Sequence, residues 1–181
     1  MSRQIKNIIT ITFFLICIGL INFAGQNIDI EIRGINAFTF ILIVAVLLQI
    51  IFFIPSFLLK TEKYYDLVGS LTYVTTVSLA YFAVENKTMI DSIIYFYVMV
   101  WASRLGIYLF RRVRNDGKDV RFEKPKRHFF WFLQYWMGQA LWVALTACSA
   151  IIAILSPEEN TLPVLAIVGM ALWLSGFTIE S

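Results

Sequence analysis

An all-α membrane helix bundle is the fold class this sequence predicts, on three observations. Of its 181 residues, 59% are hydrophobic and only 15% charged, with a mean hydropathy of +0.74. A soluble domain carries roughly a quarter charged residues. The apolar residues gather into runs that approach or exceed the roughly 18 residues needed to span hydrocarbon. The 15 Lys and Arg residues fall almost wholly on one side of those runs when the chain is threaded back and forth. A polytopic bundle of about six transmembrane helices follows, one domain over residues 1–181.

The runs come in order at 8–24, 35–59, 67–84, 89–110, 129–155 and 162–180. The first follows Arg3 and Lys6, as a signal peptide would. It is long for such a segment, and Asn22-Phe23-Ala24 is a poor cleavage site, so it reads as a retained span. The second carries Gln49 and Pro55; a proline there lacks a backbone donor and predicts a kink near one end. Asp66 opens the third, and Gly69, Ser70, Tyr73, Thr76 and Ala80 follow at helical spacing. That small and polar face suits close helix packing. The fourth contains Arg104, with Tyr108 and Arg111 on the same helical face. In the fifth, Tyr135, Gln139 and Trp142 share a face, with Gln134 and Gly138 beside them. The connections are short except 111–128, a basic stretch in which Asn115-Asp116-Gly117 predicts a turn. No internal repeat or linker divides the chain.

Basic residues set the orientation. Only Arg33 and Lys87 fall on one side and Arg104 within a run; all other Lys and Arg lie on the side of the N-terminus and of 111–128. The N-terminus is therefore expected in the cytosol. The membrane expected is a bacterial inner (plasma) membrane rather than endoplasmic reticulum.

Inventory narrows the chemistry. Cys17 and Cys148 lie inside apolar runs without metal-type spacing, and the single histidine, His128, sits in the basic stretch. A zinc site or a Ser-His-Asp triad is thus nearly excluded, and no metal is expected. Arg104 lies below the end of its run, where an arginine either snorkels to the interface or faces a cavity that receives an anion. Positive-inside topology alone accounts for a basic connection, and anionic headgroups would be drawn to it. It does not account for the interleaved Asp116, Asp119 and Glu123, which suit pairing with arginines and fixing the shape of a loop. Shaped arginines bind phosphate oxygens in bidentate fashion. Asp66, Asp91 and Glu180 are acids near span ends; a cavity on the cytosolic side could use Asp66 or Glu180, or they are interfacial helix-terminal acids, Asp66 being favoured by the helix dipole. Periodicity leaves these alternatives open.

Several spaced motifs then resemble a known family. Trp101-x-x-Arg104-Leu105-Gly106, Leu109, Arg112-Val113 and Gly117-x-Asp119-x-Arg121-Phe122 are similar to the signature of the steroid 5-alpha-reductase-like membrane proteins, and more narrowly of a mostly bacterial branch catalogued as a domain of unknown function. Glu62-Lys63-x-Tyr65-Asp66-Leu67-x-Gly69-Ser70-Leu71-Thr72-Tyr73 and Trp136-x-x-Gln139-x-x-Trp142-Val143 fit the same branch. The resemblance runs from about Lys60 onward. It implies a reductase that uses NADPH to saturate a carbon–carbon double bond in a steroid- or lipid-like substrate. It further implies Asp66 and Tyr73 as candidate catalytic or substrate-side groups. Arg104, Arg111, Arg112, Asp119 and Arg121 are the candidates for holding the cofactor. Partners expected are the lipid bilayer and a hydrophobic small molecule, not nucleic acid.

The family pattern continues past Gly176-Phe177-Thr178-Ile179-Glu180 into an Ala-Asp-x-Gln-Lys run and an Arg-His-Pro-x-Tyr motif that this sequence lacks. It therefore reads as a truncated form, the N-terminal two-thirds of a reductase-like domain. Three other readings stand beside the reductase. One is a small transporter, although repeated halves and midplane charges are missing. The others are a non-catalytic assembly subunit and a related membrane methyltransferase.

Overall fold

The computed structural model describes residues 2–116, 119–156 and 164–180. Its α-helices are α1 (Arg3–Asn22), α2 (Ala37–Leu58), α3 (Tyr65–Ala83), α4 (Met89–Asp116), α5 (Phe129–Leu155) and α6 (Val164–Glu180). The all-α membrane bundle expected from composition forms. Four stretches are long and apolar enough to cross a membrane unaided: Arg3–Gly25, Ala37–Leu58, Met89–Asn115 and Phe129–Leu155. α3 is more polar, because it carries the small-residue face, and the apolar part of α6 is the shorter stretch Ala166–Ile179. Phe13, Ile51, Leu58 and Phe82 stay largely exposed on the outer faces, as side chains that meet lipid do.

Two departures from the sequence reading matter. α4 does not stop at Phe110 but continues to Asp116, so Arg111, Arg112 and Arg114 ride on a helix and not in a loop. Arginine is a good helix former, and cations are favoured at a helix C-terminus. The turn expected at Asn115-Asp116-Gly117 is thus helical in its first two residues, and Gly117 lies outside the described residues. The second departure is a small hairpin between α1 and α2. Strands β1 (Glu31–Ile32) and β2 (Ile35–Asn36) pair antiparallel, with Ile32 opposite Ile35. Arg33 and Gly34 turn between them at φ 55° and 77°, the left-handed pair that a two-residue hairpin favours.

Packing follows the small face of α3. Val68, Gly69, Ser70, Thr72, Tyr73, Thr76, Val77 and Ala80 are all buried there. Close approach is visible at Gly106 of α4, where an added Cβ would lie 2.4 Å from the Ser70 hydroxyl. Ser70 Oγ in turn donates to the Ala102 carbonyl. Gln49 of α2, fully buried, donates to Thr72 Oγ1 at 2.8 Å and so joins α2 to α3 inside the bundle. Asp91 is accounted for structurally. Its carboxylate accepts from Thr88 N at 2.8 Å while its own N–H reaches Thr88 Oγ1 at 3.1 Å, a reciprocal cap that starts α4. The side chain of Glu180, at the end of α6, lies outside what the structure describes.

Candidate functional site

α3, α4 and α5 enclose a cleft of about 560 Å³ whose lining includes Asp66 and Arg121. Helical spacing decides what α4 presents to it. Trp101, Leu105 and Leu109, each four residues after the last, line one wall. Arg112 continues that stripe, and its Nη2 lies 3.5 Å from Asp66 Oδ2 on the first turn of α3. Arg104 and Arg111 fall off the stripe. The Arg104 guanidinium stands over the Phe177 ring of α6, 5.0 Å from its centre, and Arg111 is exposed. Of the five residues expected to hold a cofactor, the structure gathers Arg112, Asp119 and Arg121 around Asp66 and leaves Arg104 and Arg111 elsewhere.

Asp119 and Arg121 arrive on the connection between α4 and α5. Asp119 caps a single 3₁₀ turn, Val120–Phe122, by accepting from Arg121 N at 3.0 Å. The same carboxylate takes Arg121 Nε at 3.0 Å and Nη2 at 2.5 Å, a fork-to-fork pair. That bonding holds the Asp119 carboxyl below the usual carboxylate range and pushes the Arg121 guanidinium up. Arg121 Nη2 also approaches Asp66 Oδ2, at 3.8 Å. Burial raises the Asp66 carboxyl above its ordinary range, outweighing the opposing pull of Arg121 and Arg112. Asp66 sits just ahead of the apolar run, at the mouth of the cleft.

The connection is anchored by two features that sequence reasoning missed. Phe122, 1% exposed, inserts among Tyr65, Tyr135 and Phe132, with ring centres 4.7, 5.0 and 5.9 Å away. Glu62, 4% exposed, binds Lys126 Nζ at 2.7 Å and accepts from the Asp119 backbone N at 3.2 Å. A lone aromatic inside a run of charges was the available signal for Phe122. For Glu62 the available signal was its place in the motif Glu62-Lys63-x-Tyr65-Asp66, since an acid next to Lys63 otherwise reads as solvated.

Deeper in the cleft stand Tyr73, Trp101 and Trp142. Thr146 Oγ1 donates to the Trp142 carbonyl at 2.7 Å, so in the 2.5 Å contact between Tyr73 and Thr146 the phenol is the donor. The Tyr73 proton is therefore directed at Thr146 and not into the cleft. Tyr65 likewise donates to the Tyr135 carbonyl, at 2.9 Å. On the α5 wall, the buried Gln139 Oε1 has no hydrogen-bond partner among the described residues. Its amide packs so tightly on Gly69 that an added Cβ there would lie 2.4 Å from Nε2. A second pocket of about 370 Å³, between α4, α5 and α6, is walled by residues such as Ile93, Ala153 and Trp173 and, among the described residues, holds no acid or base other than Tyr97.

Chemically, the cleft is two-ended. Guanidinium and carboxyl groups stand at its mouth, aromatic and aliphatic walls lie below, and one amide oxygen there lacks a donor. Comparison with known proteins returns no match among curated proteins and none among solved structures. A family model does match, described as "Protein of unknown function (DUF1295)", over residues 52–181. This stretch holds every cleft-lining residue except Phe14 and covers more than half of the chain, which therefore belongs to the DUF1295 family.

Proposed function

We propose that this chain is a steroid 5-alpha-reductase-like membrane protein, of the kind that uses NADPH to saturate a carbon–carbon double bond in a steroid- or lipid-like substrate. The observation that carries the reading is the pairing of Arg112 and Arg121 at the mouth of a cleft whose walls are apolar. The donor chemistry fits a phosphate-bearing cofactor. Arg121 uses Nε and Nη2 on Asp119, yet a guanidinium has five N–H donors, and both arginine side chains are about half exposed. Arg112 and Arg121 would hold phosphate oxygens, and bound NADPH would supply the hydride.

The chain's own groups do the rest. Trp101, Leu105, Leu109 and Trp142 bind an apolar substrate and keep water from the reacting carbons. Asp66, whose carboxyl burial raises above its ordinary range, stands at the mouth and is the better placed acid. Tyr73 positions the cleft wall through Thr146 and Trp101, since its hydroxyl proton is already engaged. With the N-terminus on the cytosolic side, the mouth faces the compartment that holds the nucleotide.

One observation favours a second reading, that of a non-catalytic subunit. Asp66 and Asp119 balance Arg112 and Arg121, so the mouth carries no large excess of positive charge. NADPH titration of the protein in lipid nanodiscs separates the two. The reductase reading expects binding that weakens at least about tenfold in Arg121→Ala and in Arg112→Ala, as loss of a charged hydrogen bond requires. Binding that neither substitution weakens, or no binding at all, removes the reading and leaves the subunit.

A further inference from the structure

We propose that Glu62 is the positioning residue that places Arg121 over Asp66, by clamping both ends of the segment that carries it. The inference rests on the reading of the cleft mouth as an anion site, and extends it to a residue outside the cleft lining.

Glu62 lies between α2 and α3, and its carbonyl accepts from Tyr65 N at 2.9 Å, which closes the turn leading into α3. The backbone that presents Tyr65 and Asp66 therefore also fixes Glu62. Its carboxylate has two oxygens and uses each on a different end of the connection. Oε1 accepts the backbone N–H of Asp119 at 3.2 Å, and Oε2 takes the Lys126 ammonium at 2.7 Å. Between those two points the chain drives Phe122 into its aromatic slot. Asp119, once held by its own N–H, turns its side chain onto Arg121 and brings Nη2 to 3.8 Å from Asp66. Removing Glu62 leaves Asp119 without its backbone anchor and Lys126 without its counter-charge, although neither residue lines the cleft. Only an acceptor with two oxygens serves both contacts. A glutamine keeps the first and turns an N–H₂ toward an ammonium at the second.

Hydrogen–deuterium exchange over residues 119–123 reads the clamp without any ligand. 2′,5′-ADP affinity in nanodiscs reads its consequence. Glu62→Ala is expected to speed exchange there at least about tenfold and to weaken 2′,5′-ADP to the level of Arg121→Ala. Glu62→Gln is expected to fall between Glu62→Ala and the native protein. The exchanged pair Glu62→Lys with Lys126→Glu restores the ion pair but sets a donor against the Asp119 N–H. A structural salt bridge would be rescued by it in both thermal midpoint and exchange. Positioning predicts a recovered midpoint with exchange still fast. Native-like exchange in Glu62→Ala, or full rescue by the exchanged pair, overturns the proposal. If the native protein binds no 2′,5′-ADP, the reductase reading fails, while the exchange measurement alone still decides whether Glu62 holds Arg121 in place.

Discussion

At the end of the bundle that holds the hairpin, polar side chains bond within their own stretch of chain. Asn36 accepts from Thr39 N and donates to the Gly25 and Ile28 carbonyls, Lys87 reaches the Val84 carbonyl, and Thr88 and Asp91 cap one another. The longest such reach, Thr39 to Asn22, spans 17 residues. At the basic end the bonds cross the fold. Arg112 meets Asp66 across 46 residues, Asp119 meets Glu62 across 57, Lys126 meets Glu62 across 64, and Tyr65 meets Tyr135 across 70. One end closes its helices with local caps. The other uses charged groups to hold separate helices around a cleft, and it keeps guanidinium donors facing outward while doing so. Polar residues that only finish secondary structure need no partners so remote, so the long links mark the end where separate helices are held around the cleft.

The contrast breaks most directly through stability. Lys126→Met leaves the Glu62 carboxylate buried and unpaired, which costs about 3 kcal/mol. Asp91→Ala removes half of a reciprocal cap at the other end and costs about 1 kcal/mol. Denaturant unfolding in mild detergent measures both. Equal costs would show that the crossing bonds are no more than caps by another route. Next in size come the close approaches of α3. Gly106→Ala drives a Cβ to within 2.4 Å of Ser70 Oγ and 2.7 Å of its Cβ, a short side chain with little room to swing, for roughly 1–3 kcal/mol. Gly69→Ala meets only the far end of Gln139. Its cost stays below about 1 kcal/mol, and its effect is read as altered ligand affinity, because the displaced amide lines the cleft.

How much of this was legible beforehand divides along the same line. The helix count, the small face of α3, and the placement of Trp142 and Gln139 on one side of α5 come from periodicity, which is a property of neighbouring residues. Asp66 and Arg112 were expected as site residues by family resemblance, and the i, i+4 stripe of Trp101, Leu105 and Leu109 explains why Arg112 reaches Asp66. The stripe read from the sequence alone was Arg104–Tyr108–Arg111, a true helical face but the one turned away, with Arg104 against α6 and Tyr108 exposed. Charge drew attention to that face, whereas packing of the apolar residues set the rotation of α4. Glu62 and Phe122 entered the sequence reading only as members of the family motifs; their roles were not legible, because Asp119 and Lys126 lie 57 and 64 residues from Glu62 on the connection between α4 and α5, and the aromatic cluster around Phe122 exists only in the assembled bundle.

The smallest expected effect tests the electrostatics of the mouth. Asp66 is raised by burial, so the folded protein holds its proton more tightly than the unfolded chain does. Its contribution to stability is full below the ordinary carboxylate range and is lost as pH rises through the raised value. Asp119 runs the other way. Its carboxyl is lowered by Arg121, so its contribution is present above the ordinary range and is lost as pH falls below it. As pH drops from neutrality, Asp66 is neutralised first while the Asp119–Arg121 clasp stays closed, and the mouth gains one positive charge. An anion of constant charge, such as sulfate, should then bind up to about fivefold more tightly, the size of an exposed charge pair. At lower pH still, Asp119 is protonated, Arg121 loses its anchor, and affinity falls again. Sulfate binding should therefore pass through a maximum in the acid range. Asp66→Asn should remove the rise on the neutral side and Asp119→Asn the fall on the acid side, each leaving the other limb in place. A profile that stays flat in the native protein would mean that the arginines at the mouth do not face the ligand, and that the crossing bonds serve assembly alone.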